Sequence, residues 1–154
     1  MRTTAKLAIA VLVAIPLTGV AQEQPQLSCV KDITYSKEFL AKFPKAGAAC
    51  NEVIMANGQK WVRFNAQVKN VQGNHLTVAF MDTFEHPVST LTFSFDPTAH
   101  VTLENNEQKA ASSAEEGDKL KVWMPENRIG FYAEPGALKS QHFALVGGGS
   151  TKER

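Results

Sequence analysis

The residues of this 154-residue chain whose types could do chemistry are four histidines, two cysteines and two short acidic groupings. His75, His86, His100 and His142 show no i, i+4 helical spacing, and none is clustered with a cysteine, so a zinc centre has no ligand set to build on. The stretch DTFEHP places Asp82, Glu85 and His86 in one loop that could gather a cation. A hard cation needs more oxygen ligands than one short loop supplies, and the same residues before a proline are ordinary loop composition. Glu115 and Glu116 pair on paper as acid and base, but adjacent helical residues point away from each other, which fits a solvated helix end. No Gly-x-Ser-x-Gly, phosphate loop or dinucleotide fingerprint is present, and VGGGST near the C-terminus lacks the lysine and following helix of a phosphate site. The sequence therefore assigns no catalytic residue, metal ligand or cofactor, and an enzyme would need a constellation assembled only in three dimensions.

The cysteines are read through the compartment. Arg2 and Lys6 precede a short apolar run, LAIAVLVAIPL, and Gly19-Val20-Ala21 supplies the small residues of a cleavage site. Residues 1–21 are thus expected to be a secretory signal peptide cut after Ala21, leaving a soluble periplasmic or secreted protein with no transmembrane segment. Cys29 follows QPQLS, with Gln26 where a lipobox would want an aliphatic residue, so lipidation is the minor reading. In an oxidising compartment Cys29 and Cys50 have one intramolecular pairing open to them, a staple on the N-terminal segment. Their spacing is nothing like the Cys-x-x-Cys of a redox pair.

Cleavage removes two of the 16 basic residues and none of the 15 acidic ones, leaving a net charge of −1. Such a chain has no global field for nucleic acid or an anionic membrane, and any binding must come from a local patch.

The elements that would position such a patch follow from periodicity. Ser36 can cap a short helix carrying Phe39, Leu40 and Phe43 and ended by Pro44, and a second turn runs from Ala46 to Cys50. From Asn51 the pattern alternates, and Asn57-Gly58 suits the positive φ angles of a type I′ hairpin. Val62, Phe64, Ala66 and Val68 form one inward phase. Leu76, Val78 and Phe80 form the next, then Leu91, Phe93 and Phe95, then Val101 and Leu103. Lys109 to Glu116 reads as a short helix or helical turn stopped by Gly117. Leu120, Val122 and Met124 face inward on a late strand, Pro125-Glu126-Asn127 turns the chain, and Ile129, Phe131 and Ala133 continue a final strand.

This order predicts a mainly β protein with a short N-terminal helix, built as a small antiparallel OB-like barrel or curled sheet of six to seven strands. One domain over residues 22–146 would carry the stapled helix, with residues 147–154 as a flexible tail. WVRFNAQVKNV, a turn, HLTV and then GDKLKVW resemble a pattern shared by exported bacterial small β-barrel proteins of unknown role, over roughly residues 60–134. The resemblance implies a fold and a compartment and no substrate.

One feature departs from a plain barrel, and it concerns the outward phase. Trp61 travels with Arg63, Trp123 with Lys119 and Lys121, and Tyr132 with Arg128 and Glu134. If these strands are neighbours, the outer wall carries rings and cations able to bind an envelope glycan or protein, with nucleic acid disfavoured. A second reading has the helix of Phe39, Leu40 and Phe43 burying those tryptophans. A third makes the chain an inhibitor or immunity-type partner of an envelope hydrolase, acting through MPENR or DTFEHP.

Overall fold

The structure is a computed structural model and describes residues 26–130, 132, 135–136 and 143–147. The expected signal peptide, Phe131, Ala133, Glu134, His142 and the tail beyond Gly147 lie outside the described residues. Among the described residues no helix is long and apolar enough to cross a membrane.

Helix α1, Lys37–Lys42, begins where Ser36 adopts an extended conformation and its Oγ accepts the Phe39 backbone N–H at 3.1 Å, filling one of the orphan donors of the first turn. Glu38 in the first turn and Lys42 in the last complement the helix dipole. A second turn of helix, α2 (Ala46–Ala49), leads into strand β1, Cys50–Ala56. Cys50 is disulfide-bonded to Cys29, with Cα atoms 5.8 Å apart, and Leu27 forms a bridge with Val53. The N-terminal segment is stapled as the cysteine count implied.

Asn57 and Gly58 both take positive φ, 50° and 74°, and close a tight hairpin onto β2, Gln59–Gln72, with Ala56 opposite Gln59. The remaining strands are β3 (His75–Met81), β4 (Pro87–Phe95), β5 (His100–Leu103), β6 (Gln108–Ala110), β7 (Lys119–Pro125) and β8 (Phe143–Gly147). All pairings are antiparallel, in the order β6-β5-β7-β2-β3-β4-β8, with β1 branching from β2. The 14-residue β2 is the spine: it pairs with β1 from Gln59 to Phe64, with β7 from Trp61 to Gln67, and with β3 from Asn65 onward. The sheet does not close, so the described strands form an open antiparallel sheet of eight rather than a sealed barrel of six or seven.

The inward phases are as the alternation predicts. Val62, Phe64, Ala66, Val68, Leu76, Val78, Phe80, Leu91, Phe93, Leu120, Val122 and Met124 are all buried in one core. The helices pack on that same inner face. The Phe43 ring lies 4.7 Å from Phe80 and 5.3 Å from Phe64, and Phe39 lies 6.5 Å from Phe64. Each buried phenylalanine contributes roughly 1.5–3 kcal/mol of transfer free energy. The expectation that this helix covers the outward tryptophans is therefore overturned: two of its apolar residues fill the main core, and Leu40 is left 39% exposed.

Three other expectations are corrected. Lys109 to Glu116 is not helical at its start, because Gln108–Ala110 pairs with His100–Thr102 as β6, and only the 3-10 turn Ala111–Ser113 follows. The final strand expected over Ile129 to Ala133 is reduced, among the described residues, to one bridge between Trp123 and Tyr132. The chain turns there through the Arg128 N–H bonding back to the Pro125 carbonyl, and the Glu126 N–H reaches Lys60 instead of extending a ladder. Finally, β8 was not anticipated. It pairs with β4 and sets Phe143 5.8 Å from Phe95.

Candidate binding face

The outward phase is built by register. Arg63 stands opposite both Glu52 of β1 and Trp123 of β7, Asn65 stands opposite Lys121, and Lys121 stands opposite Thr102 of β5. Because side chains alternate at period two, these pairings put Glu52, Arg63, Trp123, Lys121 and Thr102 on one wall. They line a hollow of about 250 Å³ whose rim also includes Asn106 and Pro135.

Polar bonds hold its base. The Arg63 Nε lies 3.0 Å from a Glu52 carboxylate oxygen, and an Nη donates to the Asn51 side-chain carbonyl. The Lys121 ammonium donates to Asn106 Oδ1 at 2.8 Å. Asn106 itself sits at φ 69°, the left-handed conformation asparagine tolerates well. Two buried polar atoms of this wall lack a hydrogen-bond partner among the described residues, the Thr102 hydroxyl and Arg63 Nε, whose N–H is not directed at the nearby carboxylate. Trp123 is half-buried, so part of its ring faces the hollow and solvent.

Trp61 has a different fate. It is fully buried, its indole N–H donates to the Ala56 carbonyl at 3.3 Å, and Tyr132, only 6% exposed, packs edge-on against it. The segment after the Pro125–Asn127 turn supplies this cover. The Tyr132 N–H bonds to the Trp123 carbonyl at 3.1 Å, and the Asn57 side-chain amide donates to the Gly136 carbonyl at 2.7 Å. Gly136 has φ 83°, and a Cβ there would lie 2.9 Å from Asn57 Nδ2.

Of the seven residues the sequence proposed for binding, Arg63, Lys121 and Trp123 come together in the hollow. Trp61 and Tyr132 bury each other beside it. Lys119 belongs to a neighbouring hollow of about 310 Å³ with Asn65, Gln67, Asp82, Glu85 and Glu104, where its Nζ lies 2.6 Å from Glu85. That hydrogen bond, and then the charge, lowers the Glu85 carboxyl and raises the Lys119 ammonium. Arg128 is exposed past the turn and lines neither hollow. Thr102, Asn106 and Glu52 were missed. Thr102 could have been found by parity, since Val101 and Leu103 point inward, but its partnership with Lys121 needed the register of β5 on β7.

Among the described residues no three of His, Cys, Asp and Glu gather as a metal cluster. In the β3–β4 loop, Asp82 Oδ1 accepts the backbone N–H groups of Phe84 at 2.9 Å and His86 at 2.8 Å, and Oδ2 lies 3.5 Å from His86 Nδ1. The His86 N–H, with that of Phe84, holds the Asp82 carboxyl below its ordinary value. The loop so braced presents Phe84 to solvent, 79% exposed.

No protein-family model matches the chain, and no curated protein or solved structure matches it.

Proposed function

We propose that this chain is a non-catalytic, exported binding module of the bacterial cell envelope, and that it takes a glycan on the wall formed by β2, β7 and β5. The supporting observation is the hollow itself: a half-buried indole, Trp123, beside the cations Arg63 and Lys121. An indole face stacks on the C–H face of a pyranose, and fixed polar groups orient its hydroxyls. Small barrels of the OB type bind oligosaccharides on an outer strand face, and a long central strand flanked by antiparallel neighbours supports an OB-like reading of this wall. The Cys29–Cys50 disulfide is consistent with an oxidising compartment, in line with an exported protein.

The test is titration of neutral, N-acetylated and acidic oligosaccharides while the Trp123 indole and the backbone amides of β2, β5 and β7 are followed by NMR, the amides serving as the signal in Trp123→Ala. Binding should disappear in Trp123→Ala with little change in melting temperature. Unchanged binding in that variant, or a silent indole with every sugar, removes the proposal.

A second reading, an inhibitor-type protein acting on an envelope hydrolase, is favoured by the braced loop that displays Phe84. An exposed aromatic on a hydrogen-bonded loop is a low-entropy anchor for a partner's apolar socket. Phe84→Ala would abolish inhibition and leave glycan binding unchanged.

A further inference from the structure

We infer that the hollow takes a carboxylate-bearing sugar unit, with the carboxylate on Arg63 and Lys121 and the ring on Trp123. This rests on the binding-module reading and names its ligand class.

Charge comes first. Arg63 and Lys121 face a single acidic residue in the hollow, Glu52, so its lining carries one net positive charge and is complemented by a monoanion. A phosphate dianion would exceed that charge and would meet the Glu52 carboxylate. The donors are available as well. Arginine has five N–H donors and lysine three. Arg63 gives one to Asn51 and holds its buried Nε 3.0 Å from Glu52, and Lys121 gives one to Asn106, so the donors offered to a ligand are the remaining Nη and Nζ hydrogens. Glu52, Asn51 and Asn106 fix where the two cations sit, so a bound carboxylate would meet groups already in place, and charge-assisted bonds to it are the strong kind.

Size and shape come next. At about 250 Å³ the hollow falls below the roughly 300–1,000 Å³ of sites that enclose a drug-sized ligand, which leaves room for one ring and its substituent. The exposed part of Trp123 offers that ring an apolar face, and a bare carboxylate would leave it unused.

The experiment titrates the disulfide-intact protein with a uronic-acid disaccharide, its carboxyl-reduced neutral twin and sodium acetate, with the Trp123 indole N–H as the signal. The acidic disaccharide should bind about tenfold more tightly than its twin, the factor one charge-assisted hydrogen bond supplies. In Lys121→Met that preference should fall to near unity while the twin still binds, and Lys121→Gln serves the same purpose if the methionine variant does not fold. Equal binding of the two disaccharides overturns the carboxylate inference and leaves the glycan face standing. Acetate shifting the indole with the same affinity as the disaccharide overturns the sugar component. No response to either disaccharide or to any neutral or N-acetylated oligosaccharide overturns the inference together with the binding-module reading.

Discussion

The ring of Tyr132 meets the indole of Trp61 edge-on, centroids 4.9 Å apart and planes at 84°, and closes over it from a segment that lies beyond the whole of β7. Gly136, a few residues on, ties this segment to the β1–β2 turn through Asn57, in a left-handed conformation (φ 83°) where a Cβ would also crowd the Asn57 amide at 2.9 Å. Gly136→Ala should cost about 1–3 kcal/mol through backbone strain and the displaced Asn57 contact. Tryptophan emission should shift to the red as Trp61 becomes wetted. Unchanged emission and an unchanged urea midpoint would show that the cover does not rest on that glycine.

Phe43 and Leu40 separate the two possible seats of the first helix. Phe43→Ala should lose about 3–5 kcal/mol, since it empties a site between Phe64 and Phe80. Leu40→Ser, at a partly exposed position, should stay within about 0.5 kcal/mol. Chemical denaturation of both variants checks the contrast, and a reversed order contradicts the packing.

The Cys29–Cys50 bond spans 21 residues. Replacing both cysteines by serine should lower stability by about 3 kcal/mol in the chain-entropy picture. A reductant should lower the parent's midpoint and leave the double variant's unmoved. Equal loss in both would assign the effect to the reductant.

Asp82 governs the loop that carries Phe84, and its carboxyl is held below the ordinary value of 3.8 by backbone N–H groups. The ionised form is thus favoured in the folded loop. Its contribution is complete above the unfolded value and disappears as pH falls through the lower folded one. Amide protection at Phe84 and His86 should persist to below pH 3.8 and then collapse, and Asp82→Ala should remove it at neutral pH. Protection that is the same at neutral pH with and without the carboxyl would mean the turn holds itself.

Much of this architecture is legible in the amino-acid order because it is local or binary. Val62, Phe64, Ala66 and Val68 alternate strictly, so the inner face of β2 follows from its period. Asn57-Gly58 dictates its turn, and two cysteines leave one intramolecular bridge. What escaped is set by tertiary choice. Phe39 and Phe43 need burial, but nothing in their spacing says which face of the sheet provides it. Gln108–Ala110 is too short to show a period, and Phe143–Gly147 runs into a glycine-rich stretch that reads as tail. Within the candidate site, Arg63 and Trp123 were found by type and phase. Trp61 shares their phase and is nonetheless sealed, because the segment bearing Tyr132 folds back onto it.

The antiparallel match of β8 on β4 bears on how the protein is made. Phe143 seals Phe95, and the backbone of β8 occupies the open side of β4 over Thr92 to Phe95. A chain whose synthesis stops before Phe143 exposes that row of unpaired amides and carbonyls together with an unsealed aromatic, the template on which strands aggregate and proteases act. Pairing with β8 thus both protects the β4 edge and seals the aromatic beneath it.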